Sequence, residues 1–266
     1  MLNISDTFHH QEKWLIVEQV GFQKAVKKSI VNAFERKELG MLPRGGVACI
    51  LGKNSKDHEG RGKKAYCFLP LPFETDLPVH INAHFALDHE ARRNLWRDEG
   101  GGYRSDWNNA LLGDVVASCY LTLLIEVRAF LKLPVSTDGK PCTLTCSEGE
   151  VLQSIKAYEN FFPLKPLSGS NWEILVDSLY AEMASNEVRV LPVVRNKHSD
   201  AVFPGCEGTN IVELNWFPRE KSNWRSLMTL QKQVLLPGCH RGKEMNSRQR
   251  QEEGLKRHYL KVASTW

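Results

Sequence analysis

Apolar and polar positions alternate from residue 78 to 87. Val79, Ile81, Ala83 and Phe85 fall on one side, and His80, Asn82 and His84 on the other. A period of two predicts a strand with one buried face. Further on, Trp107, Leu111, Leu112, Val115, Cys119, Leu123, Val127 and Phe130 recur at three- and four-residue steps. That spacing predicts a long helix with one apolar stripe, capped by Ser105 or Asp106 and stopped by Pro134. Such a stripe marks core packing and not a cofactor site, and Cys119 within it acts as a small hydrophobe.

The same reading extends along the chain. Residues 13–20 predict a strand ended by Gly21. Phe22, Val26, Ile30, Ala33 and Phe34 have helical spacing over 22–39, with Gly40 as C-cap. Short apolar runs at 46–51 and 65–69 predict two antiparallel strands joined by a long charged loop, 52–64. Pro70 and Pro72 each lack a ladder donor, so residues 69–72 should end a strand. Asp88 is placed to cap a short helix through Trp96, and residues 97–102 form a glycine-rich turn. Residues 134–146 look like a linker. Helical patterns follow at 148–161 and 171–183, then strands at 187–194 and 211–217, then a polar tail. The expected organisation is an α/β unit over 1–134, a mixed extension over 135–240 and a poorly packed tail over 241–266.

Composition narrows the function classes. A chain of 266 residues can bury a sizeable core. A net charge of +4 neither demands nor excludes a polyanionic partner. The most apolar segment, 115–133, is interrupted by Glu126, Arg128 and Lys132, and the N-terminus lacks the basic-then-apolar order of a signal peptide. No membrane partner is expected. Seven cysteines, an odd number scattered through predicted core elements, fit a reducing, cytoplasmic location. Asn3-Ile-Ser5 matches a glycosylation sequon, which carries no chemistry without secretion.

Several motifs fail on chemistry. Gly46 to Asn54 resembles a phosphate loop, but its spacer has one residue too many and Asn54 stands where a hydroxyl would hold magnesium. His80 and His84 lie on one strand face about 13 Å apart at strand rise, too far to share an ion. With His89 they are better read as polar-network or solvent-facing histidines. Cys142 and Cys146 are a loose pair whose nearest further ligands, Cys206, Cys239 and His240, are distant. No metal site is expected. No Gly-x-Ser-x-Gly elbow is present. Asp88, Glu90, Asp98, Glu99 and Asp106 cluster in sequence, but each has a capping or surface role open to it. The basic tail (Arg241, Lys243, Arg248, Arg250, Lys256, Arg257) has almost no aromatic interleaving, so nucleic acid is not the expected partner.

One ordered series of short segments is more specific: Gly45-Gly-Val-Ala, Cys67-Phe-Leu-Pro-Leu-Pro, Leu77-Pro-Val-His-Ile-Asn, Phe85-Ala-Leu, Arg92-Arg93, Trp96 and Arg104-Ser-Asp-Trp-Asn. Over roughly residues 12 to 135 it resembles the sacsin family, whose repeats are built on a heat-shock-protein-90-like (GHKL-type) ATPase. Val190-Leu-Pro-Val-Val-Arg195 is similar, more loosely, to the region downstream of that module. The nucleotide-binding signatures and the J-domain His-Pro-Asp signature are absent from this chain. The resemblance implies an α/β (α+β) middle-type domain, a small mixed or antiparallel sheet packed by a long helix, followed by a mainly helical extension. It also implies a chaperone or co-chaperone role in protein folding and quality control. Protein clients and heat-shock chaperones would be the partners, and ATP would bind only an absent upstream domain. No catalytic or cofactor-binding residue carries over, so the chain is not expected to be an enzyme. Asn82, Arg92, Arg93 and Arg104 are the candidate domain contacts; which arginine, if any, approaches a phosphate stays open. Pro70, Pro72, Phe85, Trp96, Ser105, Asp106, Trp107 and Asn108 form the structural signature. The alternative is a stand-alone interaction or scaffold module with no nucleotide link.

Overall fold

The computed structural model describes residues 1–5, 11–51, 63–88, 94–98, 101–135, 142–144, 149–164, 170–186, 188–197 and 211–217. The 52–62 loop, Arg92, Arg93, His89 and the tail lie outside them. Six strands form the first sheet: β1 (Leu2–Ser5), β2 (Gln11–Val20), β3 (Arg44–Ile50), β4 (Lys63–Cys67), β5 (Leu69–Thr75) and β6 (His80–Ala83). Their order is β1-β2-β3-β6-β4-β5. All neighbours are antiparallel except β4 and β6, so the sheet is mixed.

The expected pairing of residues 46–51 with 65–69 is not made: β6 lies between β3 and β4. Its apolar side is the reason. Val79, Ile81, Ala83 and Phe85 are all buried as the alternation requires, and an interior position buries them best. The proline-rich run also departs from expectation. Instead of ending a strand it forms most of β5, an edge strand, where Pro70 and Pro72 are exposed and Leu71 is buried. An edge strand tolerates missing donors on its free side. Phe68, at φ +63°, makes the tight reversal between β4 and β5 and stacks on His84 with ring centroids 4.6 Å apart.

Helix α1 (Lys28–Glu35) is shorter than the 22–39 pattern. Asp114 is the cause. Its Oδ2 accepts the backbone N–H groups of Gln23 and Lys24 at 2.8 and 2.9 Å, which holds those residues out of a helix. Phe22 and Val26 still pack against the core.

The long helix runs from Tyr103 to Phe130. It comprises α2 (Tyr103–Ala110), a π-helical segment (Leu111–Val116) and α3 (Ala117–Phe130). The wider turn brings both Val115 and Val116 onto the sheet. A Cβ at Gly45 would lie 3.1 Å from Val116 Cγ2 and 3.2 Å from Val115 Cγ1, so glycine sets how close the helix approaches. By length and composition this helix could cross a membrane, but two thirds of its most apolar window is buried within the protein, as in a core helix.

Neither Ser105 nor Asp106 caps the long helix. Gly102 occupies the N-cap, and no side chain bonds the helix start. Ser105 Oγ accepts the Asp98 N–H at 2.6 Å. Asp106 accepts from Lys27 Nζ at 2.5 Å and Ser29 Oγ at 2.6 Å, joining the helix to α1. Trp96 is not helical: Leu95 bridges to Leu87, and the Trp96 N–H donates to the Ala86 carbonyl at 2.8 Å.

The extension adds α4 (Gly149–Glu159), α5 (Glu173–Ser185) and an antiparallel sheet of order β7-β9-β8. Its strands are β7 (Cys142–Leu144), β8 (Leu191–Lys197) and β9 (Ile211–Phe217). β7 lies in the stretch expected to be a linker, where pairing with β9 orders it. Gly113 lets α5 close on the long helix, since a Cβ there would be 3.1 Å from Ser178 Oγ. Tyr120 donates to the Phe161 carbonyl at 2.7 Å, and Trp216 Nε1 donates to that of Pro134 at 2.8 Å. One hydrophobic core therefore runs from Leu15 on β2 to Trp216 on β9. The chain is a mixed α+β fold.

Candidate functional site

The long helix covers one face of the six-stranded sheet. Among the described residues the other face is left uncovered, and its geometry follows from strand register. Gly45, Ile81 and Ala83 point to the helix side, so Gly46, Ala48, His80 and Asn82 point away. One cross-strand row runs Glu18, Gly46, Asn82, Tyr66, Pro70; the next runs Ile16, Ala48, His80. Small residues thus sit mid-sheet, between Ile16 and Trp14 on one side and Tyr66 and His80 on the other. The result is a shallow groove of about 330 Å³, also lined by Leu2.

Aromatic rings line the groove. The His80 ring lies 5.6 Å from Trp14 and 6.0 Å from Tyr66, centroid to centroid. The Lys64 N–H donates to His80 Nδ1 at 3.2 Å. Burial, aided by the positive charges of Lys63 and Lys64, pushes the His80 imidazole below its usual range. That shift favours the neutral imidazole, a ring suited to packing. Polar groups rim the groove: Asn82 is exposed, and Glu18 pairs with Arg44 at 2.7 Å. An apolar floor with a polar rim is the anatomy of a protein-contact surface.

Gly46 has no room for a side chain, because a Cβ would lie 2.5 Å from the Val17 carbonyl oxygen and 2.9 Å from Glu18 Cγ. Gly46→Ala is expected to lower the unfolding free energy by about 2 kcal/mol, read as a lower urea midpoint at unchanged slope.

The remaining candidate residues lie elsewhere. Arg104 sits at the start of the long helix, its guanidinium 4.7 Å from the Trp96 ring and 5.4 Å from that of Tyr103. Asn82 and Arg104 are thus on opposite sides of the sheet and do not converge. Trp96 Nε1 donates to Asp98 Oδ1 at 2.7 Å, and Ser105 Oγ donates to Oδ2 at 3.1 Å. These bonds, the Trp96 one foremost, outweigh burial and hold the Asp98 carboxyl below the usual range. A depressed folded-state pKa adds stability above the unfolded value, which is lost as pH falls through the folded value. Thermal midpoints measured between about pH 5 and pH 2 should fall less steeply in Asp98→Asn than in the parent.

Trp107 and Asn108 serve the fold. Trp107 Nε1 donates to the His84 carbonyl at 2.8 Å. Asn108 accepts the Ala86 N–H at 2.8 Å and donates to the Ala86 carbonyl at 2.9 Å. Phe85 is buried beside them. Among the described residues no group of three or more His, Cys, Asp or Glu side chains could hold a metal. Burial pushes the Cys49 and Cys119 thiols up to about 12, which keeps them protonated.

Sequence reading named Asn82 but missed Trp14, Ile16, Gly46, Ala48 and Tyr66. The signal was present: Trp14, Ile16, Glu18 and Val20 alternate with Leu15, Val17 and Gln19, and Gly46 and Ala48 share a parity.

The chain is 36% identical over 231 residues to human sacsin, a match covering 84% of this chain and 5% of sacsin. It therefore spans a small part of that relative's length. No protein-family model matches it, and no solved structure matches it.

Proposed function

Because this chain is a sacsin-like protein, we propose that it is a non-enzymatic module of a chaperone machine. It works by holding a second domain against the open face of its six-stranded sheet. The sacsin relationship supports a chaperone-related role at the level of the family. The observation that carries the finer reading is the groove over Gly46 and Ala48, whose apolar walls and polar rim face outward. Its occupant is the nucleotide-binding domain that the family resemblance implies upstream, so ATP binds there and not to this chain. Asn82, at the groove rim, is a contact; Arg104, on the other side of the sheet, serves a different surface. Protein clients and heat-shock chaperones are the partners of the whole machine, in the cytoplasm.

Titration calorimetry of the purified chain against a separately produced nucleotide-binding domain of a sacsin-like protein tests this. Saturable binding is expected, and Ala48→Arg should weaken it about tenfold or more by filling the groove with a charge. The thermal midpoint of the variant reports whether its fold is intact. Absence of binding by the parent chain would refute the proposal. So would ATP hydrolysis by the chain alone that Arg93→Ala abolishes.

A further inference from the structure

The two edges of the six-stranded sheet differ. At the β5 edge, Pro70 and Pro72 have no N–H to offer another strand. At the opposite edge, β1 covers only Gln11 to Trp14 of β2. From Leu15 to Val20, β2 pairs with β3 on one side, and among the described residues no strand pairs with the other. The ladder phase shows which groups are left over. Lys13 accepts the Leu51 N–H, so Lys13, Leu15, Val17 and Gln19 exchange bonds with the β3 side. Ile16, Glu18 and Val20 therefore aim N–H and C=O outward. Ile16 and Val20 are 45% and 59% exposed, and the Glu18 side chain 43%.

We propose that this stretch of β2 binds an extended peptide segment, which adds as a strand antiparallel to β2 and in line with β1. Strand addition supplies main-chain hydrogen bonds for affinity and alternate side chains for selectivity. The side-chain pattern follows from the register. Residues opposite Ile16 and Val20 are apolar, extending the wall of the groove. The residue opposite Glu18 is basic, since Arg44 engages only Glu18 Oε2 among the bonds resolved and cross-strand opposite charges attract. The site deepens the interaction role proposed above, yet it is distinct from the groove floor and fails separately.

The probe is the synthetic peptide acetyl-Thr-Val-Thr-Lys-Thr-Val-Thr-amide added to the full chain. Amide hydrogen exchange should slow at Ile16, Glu18 and Val20 in particular. Methylating the backbone nitrogens of the peptide's two Val and its Lys, which face β2, should weaken binding about tenfold or more. Glu18→Lys should weaken it about fivefold, and replacing the peptide Lys by Glu should restore it. Glu18→Pro removes an outward donor together with the carboxylate and should abolish protection at Ile16 and Val20, beyond the loss seen in Glu18→Lys. No binding, or binding without protection of these three amides, overturns the proposal. In that case calorimetry with Ala48→Arg still reads the groove independently.

Discussion

Trp107→Ala is expected to lower the unfolding free energy by about 4 kcal/mol, within the range for emptying a fully buried aromatic site. Trp107 has no solvent exposure. Its ring meets Phe22 edge-on at 5.4 Å and Phe34 at 5.7 Å, so it joins the long helix to α1 and to the segment before it. Both partners would lose their packing at once. Trp107→Phe separates two contributions: it keeps most of the apolar volume but leaves the His84 carbonyl without its indole donor. Its cost should be smaller, about 2 kcal/mol. Urea denaturation followed by far-ultraviolet circular dichroism measures both. Equal costs for the two variants would show that the hydrogen bond, and not the packing, dominates.

Asn108→Ala should cost about 3 kcal/mol, although the residue is small and polar. Its amide lies 3% exposed and acts like a strand toward Ala86, accepting its N–H and donating to its carbonyl. The same Nδ2 reaches the Trp96 carbonyl at 3.3 Å. Alanine leaves the buried Ala86 N–H without its acceptor and takes one donor each from the Ala86 and Trp96 carbonyls, though the Ala86 carbonyl still accepts the Trp96 N–H. Asn108→Asp preserves size but removes the donor, placing a carboxylate against two carbonyl oxygens. It should destabilise at least as much at neutral pH and recover in part as acid protonates it. A pH-independent cost for Asn108→Asp would contradict this account.

These two residues show how far sequence reading reaches. Trp107 sits on an apolar stripe, so its burial follows from periodicity alone. Asn108 follows it in a pattern that resembles the sacsin family. Its partners are backbone groups on Ala86, 22 residues away, and on Trp96, and spacing carries no trace of them. Ser105 and Asp106 mislead for a related reason. Both residue types favour helix starts, yet Asp98, Lys27 and Ser29 compete for the same oxygens and win. The candidate groove is legible only in part. Alternation along β2 and the small residues of β3 are local patterns. That they become neighbours of His80 and Tyr66 depends on β6 inserting between β3 and β4.

The amino-acid order by itself determined the α+β class, the buried side of residues 79–85 and the apolar stripe of the long helix. Periodicity and burial are coupled residue by residue, so these needed no distant partner. Tertiary structure decided the strand order, the shortening of α1 by Asp114, the β5 edge and the ordering of β7. Each of those depends on hydrogen bonds or packing between segments far apart in the chain, whose free energy outweighs the weak local preferences of the residues involved.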